Sequence, residues 1–135
     1  MKKPGFILFA IYLIFASCSN SNDDNPKENE SKKLDHMYNE IVKLSLSTSQ
    51  SCTNSEEWSF TKVSNSKCSG NINFIVYSKK INTIQFLDKV QKYLDAQEKF
   101  DKKWNTTFPC EGSIAPVGVQ CNNGKPELAY SIANF

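Results

Sequence analysis

Arginine is absent from this 135-residue sequence, histidine occurs once, and neither sign of charge dominates, with 16 lysines set against 14 acidic residues. Without arginine there is no planar, bidentate clamp for phosphate or carboxylate groups. A nearly neutral chain also lacks the basic footprint that nucleic-acid binding requires, so no nucleic-acid partner is expected. The sequence contains no G-x-S-x-G, H-E-x-x-H, P-loop or EF-hand pattern, which removes the commonest signatures of hydrolases, zinc proteases and nucleotide- or calcium-binding proteins. No C-x-x-C pair occurs, and the single histidine, His36, lies far from the cysteines. Neither a zinc site nor a thiol-exchange motif is therefore expected, and no metal or cofactor.

Hydrophobic residues are concentrated at the amino terminus. Lys2 and Lys3 precede the unbroken apolar run Phe6–Phe15, and the small residues Ala16 and Ser17 follow it. This is the three-part layout of a signal peptide. A span needs roughly 20 apolar residues, so the run reads as an export signal over residues 1–17. Phe15-Ala16-Ser17-Cys18 resembles the lipobox of bacterial lipoproteins, with Phe15 where that family prefers Leu, Val or Ile. The resemblance implies cleavage before Cys18 and lipidation of its thiol, hence a membrane partner through the anchor. The next stretch, Ser19 to Asp24, resembles the acidic export tether of Bacteroidota-type lipoproteins. That implies an outer-membrane location and leaves periplasmic and cell-surface placement open.

From Ser19 to Lys33 the chain is Ser, Asn, Asp, Glu and Lys apart from Pro26. Such a segment buries too little apolar surface to offset ordering, so residues 18–33 read as a disordered tether. Residues 34–135 then form one domain. Leu34, Met37, Tyr38, Ile41, Val42 and Leu44 have helical spacing, with Ser31 as the cap and the serine run Ser45–Ser51 as the end. Glu57–Val63 and Ile72–Tyr77 read as strands. Thr83–Trp104 reads as a long helix, capped by Asn82 with Gln85 as capping-box partner and Ile81 and Phe86 as the staple. Its apolar stripe is taken as Ile84, Leu87, Val90, Leu94, Gln97, Phe100 and Trp104, with Tyr93 beside it. Asp88–Lys92, Asp95–Lys99 and Glu98–Lys102 are acid-before-base pairs on the wet side. Val117–Cys121 and Glu127–Tyr130 flank Asn122-Asn123-Gly124, which predicts a hairpin. The expected class is α+β: a small antiparallel sheet crossed by the long helix, with a shorter helix before it.

Cys52, Cys68, Cys110 and Cys121 make an even set in a small exported domain and predict two disulfides. Four cysteines allow three connectivities. Local pairing, Cys52 with Cys68 and Cys110 with Cys121, is the expectation, because each pair brackets one turn-rich loop.

The segments Cys52…Glu57-Trp58, Lys67-Cys68-Ser69-Gly70, Val76-Tyr77-Ser78 and Phe108-Pro109-Cys110 resemble a group of small uncharacterised, cysteine-paired bacterial lipoproteins. Those proteins carry a C-G-G-P segment, a strand ending Tyr-Ser, a long helix and a late cysteine pair. Here Ser69 and Asn71 replace the first glycine and the proline. The resemblance implies architecture and export and brings no activity with it.

Candidate chemistry is sparse. His36 lies on the first helix without a nucleophile at informative spacing and reads as a surface histidine. Glu56 and Glu57 are adjacent on a predicted strand and so point to opposite faces, which argues against a shared carboxylate site. Asn105-Thr106-Thr107 matches a glycosylation sequon by chance. Among the aromatics, Trp58 and Trp104 lie near element ends and, with Pro116, make the candidate binding surface. No catalytic residues are assigned. The sequence therefore points to a lipid-anchored, non-catalytic binding or interaction domain, its partner an envelope protein or extracellular ligand. The alternative is a hydrolase inhibitor acting through a cross-linked Cys110–Cys121 loop, and a weaker one is a small hydrolase.

Overall fold

The computed structural model describes residues 25–64, 74–106 and 114–131. The order along the chain is α1 (Pro26–Ser45), a short 3-10 turn (Ser55–Glu57), β1 (Trp58–Lys62), β2 (Phe74–Ser78), α2 (Thr83–Trp104), β3 (Gly118–Asn122) and β4 (Lys125–Ala129). The α+β class stands. The single sheet does not: β1–β2 and β3–β4 are separate two-stranded antiparallel hairpins.

Helix α1 begins five residues before the expected cap at Ser31. Asn25 caps it instead, its side chain accepting from the Lys27 amide, and Pro26 supplies a first residue already locked near helical φ. Glu28 then pairs with Lys32 one turn on. The stretch read as the end of the tether is thus helical from Pro26 onward, because cap, proline and charge pair together offset its lack of apolar residues. Residues 18–24 lie outside the described residues. At the other end Ser45 is fully buried, and its hydroxyl donates to the Val42 carbonyl at 2.7 Å while Leu46 takes a left-handed φ of 59°. The serine run ends the helix by offering the backbone alternative partners.

Helix α2 runs over the expected residues. The Gln85 amide donates to Asn82 Oδ1 at 3.1 Å, and Ile81 packs against the same core as Phe86. Its buried stripe is rotated from the expected one: Phe86, Val90 and Tyr93 face inward, while Ile84 is 85% exposed and Leu87 38%. The staple fixes this phase, since Phe86 sits against Tyr77 with ring centroids 4.8 Å apart.

Cross-strand register divides the first hairpin into two faces. Ile75 and Tyr77 join Val63 toward Ile41, Phe86, Val90 and Tyr93 of the helices. Trp58 and Val76 point the opposite way, toward Cys52, Val119, Cys121 and Leu128. Strand β2 is therefore buried on both sides, which explains its unbroken apolar run. The layers are helix pair, first hairpin, second hairpin. The second hairpin turns at Asn123 (φ 50°) and Gly124 (φ 76°), the two positive values of a type I′ turn.

The disulfide in the structure joins Cys52 to Cys121, with Cα atoms 5.3 Å apart. This overturns both expected local pairings, since each used one of these two thiols. Loop bracketing was the wrong guide; burial under the second hairpin brings Cys52 and Cys121 together. Cys68 and Cys110 lie outside the described residues.

Candidate functional site

Helices α1 and α2 lie antiparallel, as contacts at both ends show. Near one end Lys89 bridges Glu40 at 2.5 Å; near the other, Trp104 Nε1 donates to Glu30 Oε2 at 2.9 Å and Lys103 also pairs with Glu30. Twenty and 22 residues make helices of about 30 Å, whereas five-residue strands span only about 17 Å. The helix pair therefore outruns the first hairpin. The fully buried helix residues of that core, Ile41, Phe86, Val90 and Tyr93, lie in the second half of α1 and the first half of α2.

Toward the other ends the two helices line a groove of about 300 Å³, whose Leu34 and Met37 also pack against the core. From α1 come Glu30, Lys33, Leu34 and Met37; from α2 come Ala96, Lys99, Phe100 and Lys103. Both sets follow the same i, i+3, i+4, i+7 spacing, so each is one stripe on one helix face. Leu34, Met37, Ala96 and Phe100 are partly buried and supply an apolar floor, while Lys33, Lys99 and Lys103 are exposed at the rim. Lys103 is held by Glu30 and stands 5.0 Å over the Trp104 ring. Hydrogen bonds from Lys103 and then Trp104 hold the Glu30 carboxyl below the ordinary carboxylate value, against a smaller opposing effect of burial. Asp95, expected to pair with Lys99, accepts instead from Gln91 Nε2 at 2.8 Å.

A second, wider cleft of about 500 Å³ lies between Ser47–Ser51 and the tip of the second hairpin, Asn123–Glu127. The Cys52 amide donates to the Gly124 carbonyl at 2.8 Å, and the disulfide ties the two walls together. Its lining is polar except for Gly124 and Pro126 and contains no aromatic ring. Ligand sites are mostly apolar with a few convergent polar groups. The helix-seam groove meets that description more fully, with an aromatic ring and aliphatic side chains that the cleft lacks.

Of the residues picked from the sequence as a binding surface, Trp104 lies beside the groove and is half-buried. Trp58 is only 3% exposed, and Pro116 is buried as well, so neither belongs to a surface. Trp58 fills the core between the hairpins, with its indole N–H unpartnered among the described residues. Glu56 and Glu57 lie in the 3-10 turn before β1 rather than on a strand; Glu57 binds Lys80 at 2.6 Å, and Glu56 offers its backbone carbonyl to Lys79. His36 is exposed on α1. The Cys110–Cys121 loop is not closed on itself, because Cys121 is bonded to Cys52, and this removes the cross-link on which the inhibitor alternative relied. Sequence reasoning missed Lys33, Ala96, Lys99 and Lys103; the shared spacing of the two stripes was the available signal, but not which faces would meet.

Among the described residues no three His, Cys, Asp or Glu side chains are grouped to hold a metal ion, and no helix is long and apolar enough to cross a membrane. No family model matches the chain, and no curated protein or solved structure is significantly similar to it.

Proposed function

We propose that this chain is a lipid-anchored protein of the bacterial outer membrane whose domain binds a ligand without catalysing a reaction, and that the groove between α1 and α2 is its binding site. The observation that carries the binding assignment is the meeting of two matched stripes, apolar on the floor and lysine-bearing at the rim. The lipobox-like Phe15-Ala16-Ser17-Cys18 supports the anchor. Seven residues, 19–25, separate Cys18 from α1, a reach of at most about 25 Å. An acylated Cys18 would accordingly hold the amino-terminal end of α1, and the groove beside it, near the bilayer. In an oxidising compartment the two thiols left by Cys52–Cys121, Cys68 and Cys110, form a second disulfide with each other.

Two measurements test this reading. Mass spectrometry of membrane-extracted protein should find an acylated Cys18 at the amino terminus; an unacylated terminus in a soluble fraction would overturn the anchor. A photo-reactive side chain at Ala96 should form adducts in intact cells, while one at Gln120, on the exposed face of β3, should not. Adducts only at Gln120, or at neither, would remove the groove as the site.

A further inference from the structure

The stripes that build the groove also specify its ligand. The floor is aliphatic and aromatic, with Leu34, Met37, Ala96 and Phe100, and offers no side-chain hydrogen-bonding group. It therefore suits an unbranched hydrocarbon better than a sugar or a peptide backbone, whose polar groups would be left unpaired there. The rim carries three lysines against one glutamate, and Glu30 is already committed to Lys103 and Trp104. Lys33 and Lys99 line the groove, one from each helix, with Glu30 near enough to act on Lys33 as well. Lysine presents a compact point charge with no preferred fork, and the chain has no arginine. Two such point charges, one on each helix, suit a small anionic head group whose oxygens are each met by a separate ammonium rather than held together by one fork. A volume of about 300 Å³ stands at the small end of ligand sites and leaves room for one chain, not two.

We infer that the groove binds a single-chain anionic amphiphile of the fatty-acid class, with its acyl chain along Leu34, Met37, Ala96 and Phe100 and its carboxylate between Lys33 and Lys99. This rests on the groove being the binding site and adds the chemical class of the ligand. The interaction divides cleanly. Chain length acts on the floor, and head-group charge acts on the rim.

The test uses the mature chain, residues 18–135 carrying Cys18→Ser, which has neither the apolar run Phe6–Phe15 nor an acyl anchor and needs no detergent. Titration with laurate below its micellar concentration, followed by calorimetry and by Trp104 emission, should show one saturable site per chain. Affinity should rise about fourfold per methylene from octanoate to laurate. Lys33→Gln with Lys99→Gln should weaken laurate by about tenfold and leave dodecanol unchanged. Both lysines are exposed, so these variants should keep the wild-type melting temperature. Ala96→Trp, which fills the floor, should abolish binding of both compounds.

Absence of laurate binding, equal affinity for laurate and dodecanol, or indifference to the lysine variants would overturn the proposal. So would a concentration-dependent dimer in which a second copy covers the groove, or binding by the Cys18→Ser chain that vanishes in the acylated one, since the anchor would then be the occupant. Ala96 adducts of protein mass without laurate binding would leave the groove as the site and remove only this ligand class.

Discussion

Cys52 and Cys121 are joined across 69 positions of sequence, fastening the segment after α1 to the last residues of β3. The bond clamps the second hairpin over Trp58 and Val76, whose face would otherwise be apolar and open. Closing a loop of that length restricts the unfolded chain by roughly 4 kcal/mol in the chain-entropy model. Peptide mapping without reduction should recover a Cys52–Cys121 peptide. The double variant Cys52→Ser with Cys121→Ser should lose stability of that order in urea melts. Recovery of Cys52–Cys68 and Cys110–Cys121 peptides would refute the pairing.

The phase of α2 can be checked with two side chains two residues apart. Phe86 is 2% exposed and meets Tyr77, so Phe86→Ala should cost about 3–5 kcal/mol through lost burial and a cavity. Ile84, 85% exposed, has almost no packing to lose. Ile84→Ala should change stability by no more than about 0.5 kcal/mol. Equal losses at the two positions, read from denaturant midpoints, would mean that the helix presents a different face.

That contrast shows where the sequence was legible and where it was not. Local chemistry could be read: the Asn82 cap, the Ile81–Phe86 staple and the Asn123-Gly124 turn each depend on neighbours within a few residues, and each stands as expected. The staple also held the information needed to set the stripe, since placing Phe86 inward moves Ile84 outward. What could not be read depended on partners far along the chain. Cys52 finds Cys121, and Glu30 finds Lys103 and Trp104, at separations of 69 to 74 residues. The division into two hairpins rather than one sheet is of the same kind, because alternation within a strand does not name its neighbour. The groove follows this rule, with its stripes visible singly and their meeting visible only in the fold.

The type I′ turn has its own signature. Gly124 sits at φ 76°, where a side chain is strained, although a Cβ there would meet only Ser51 Oγ at an ordinary 3.5 Å. The penalty of Gly124→Ala is therefore conformational rather than steric, about 1–2 kcal/mol. Because the Gly124 carbonyl accepts from the Cys52 amide, the damage should extend to that contact. Hydrogen exchange at the Cys52 amide should quicken in Gly124→Ala and stay slow in Asn122→Ala, whose residue flanks the turn without a positive φ. Unchanged protection in the glycine variant would show that the turn does not hold the wall of the polar cleft.

Acid should open the far end of the helix pair before it unfolds the core. Glu30 accepts from Lys103 and from the Trp104 indole, and both hold its carboxyl below the ordinary value of 4.5. For a carboxyl depressed in the folded state, the unfolded chain takes up its proton at the higher pH. Stability from this contact is thus present above about pH 4.5 and is lost as pH falls through the lower folded value. Glu28 and Glu40 are depressed in the same direction by Lys32 and Lys89, so the whole protein shares the trend. The local reporter is Trp104, since Trp58 lies in the other core. On acidification Trp104 emission should shift in the wild type before helical circular dichroism falls, because the indole loses a charged acceptor. Glu30→Gln keeps a neutral acceptor at every pH and should abolish that early change while leaving the later loss of helix in place. A variant that still shows the early change would place its origin in another group and detach Glu30 from the opening of the helix pair.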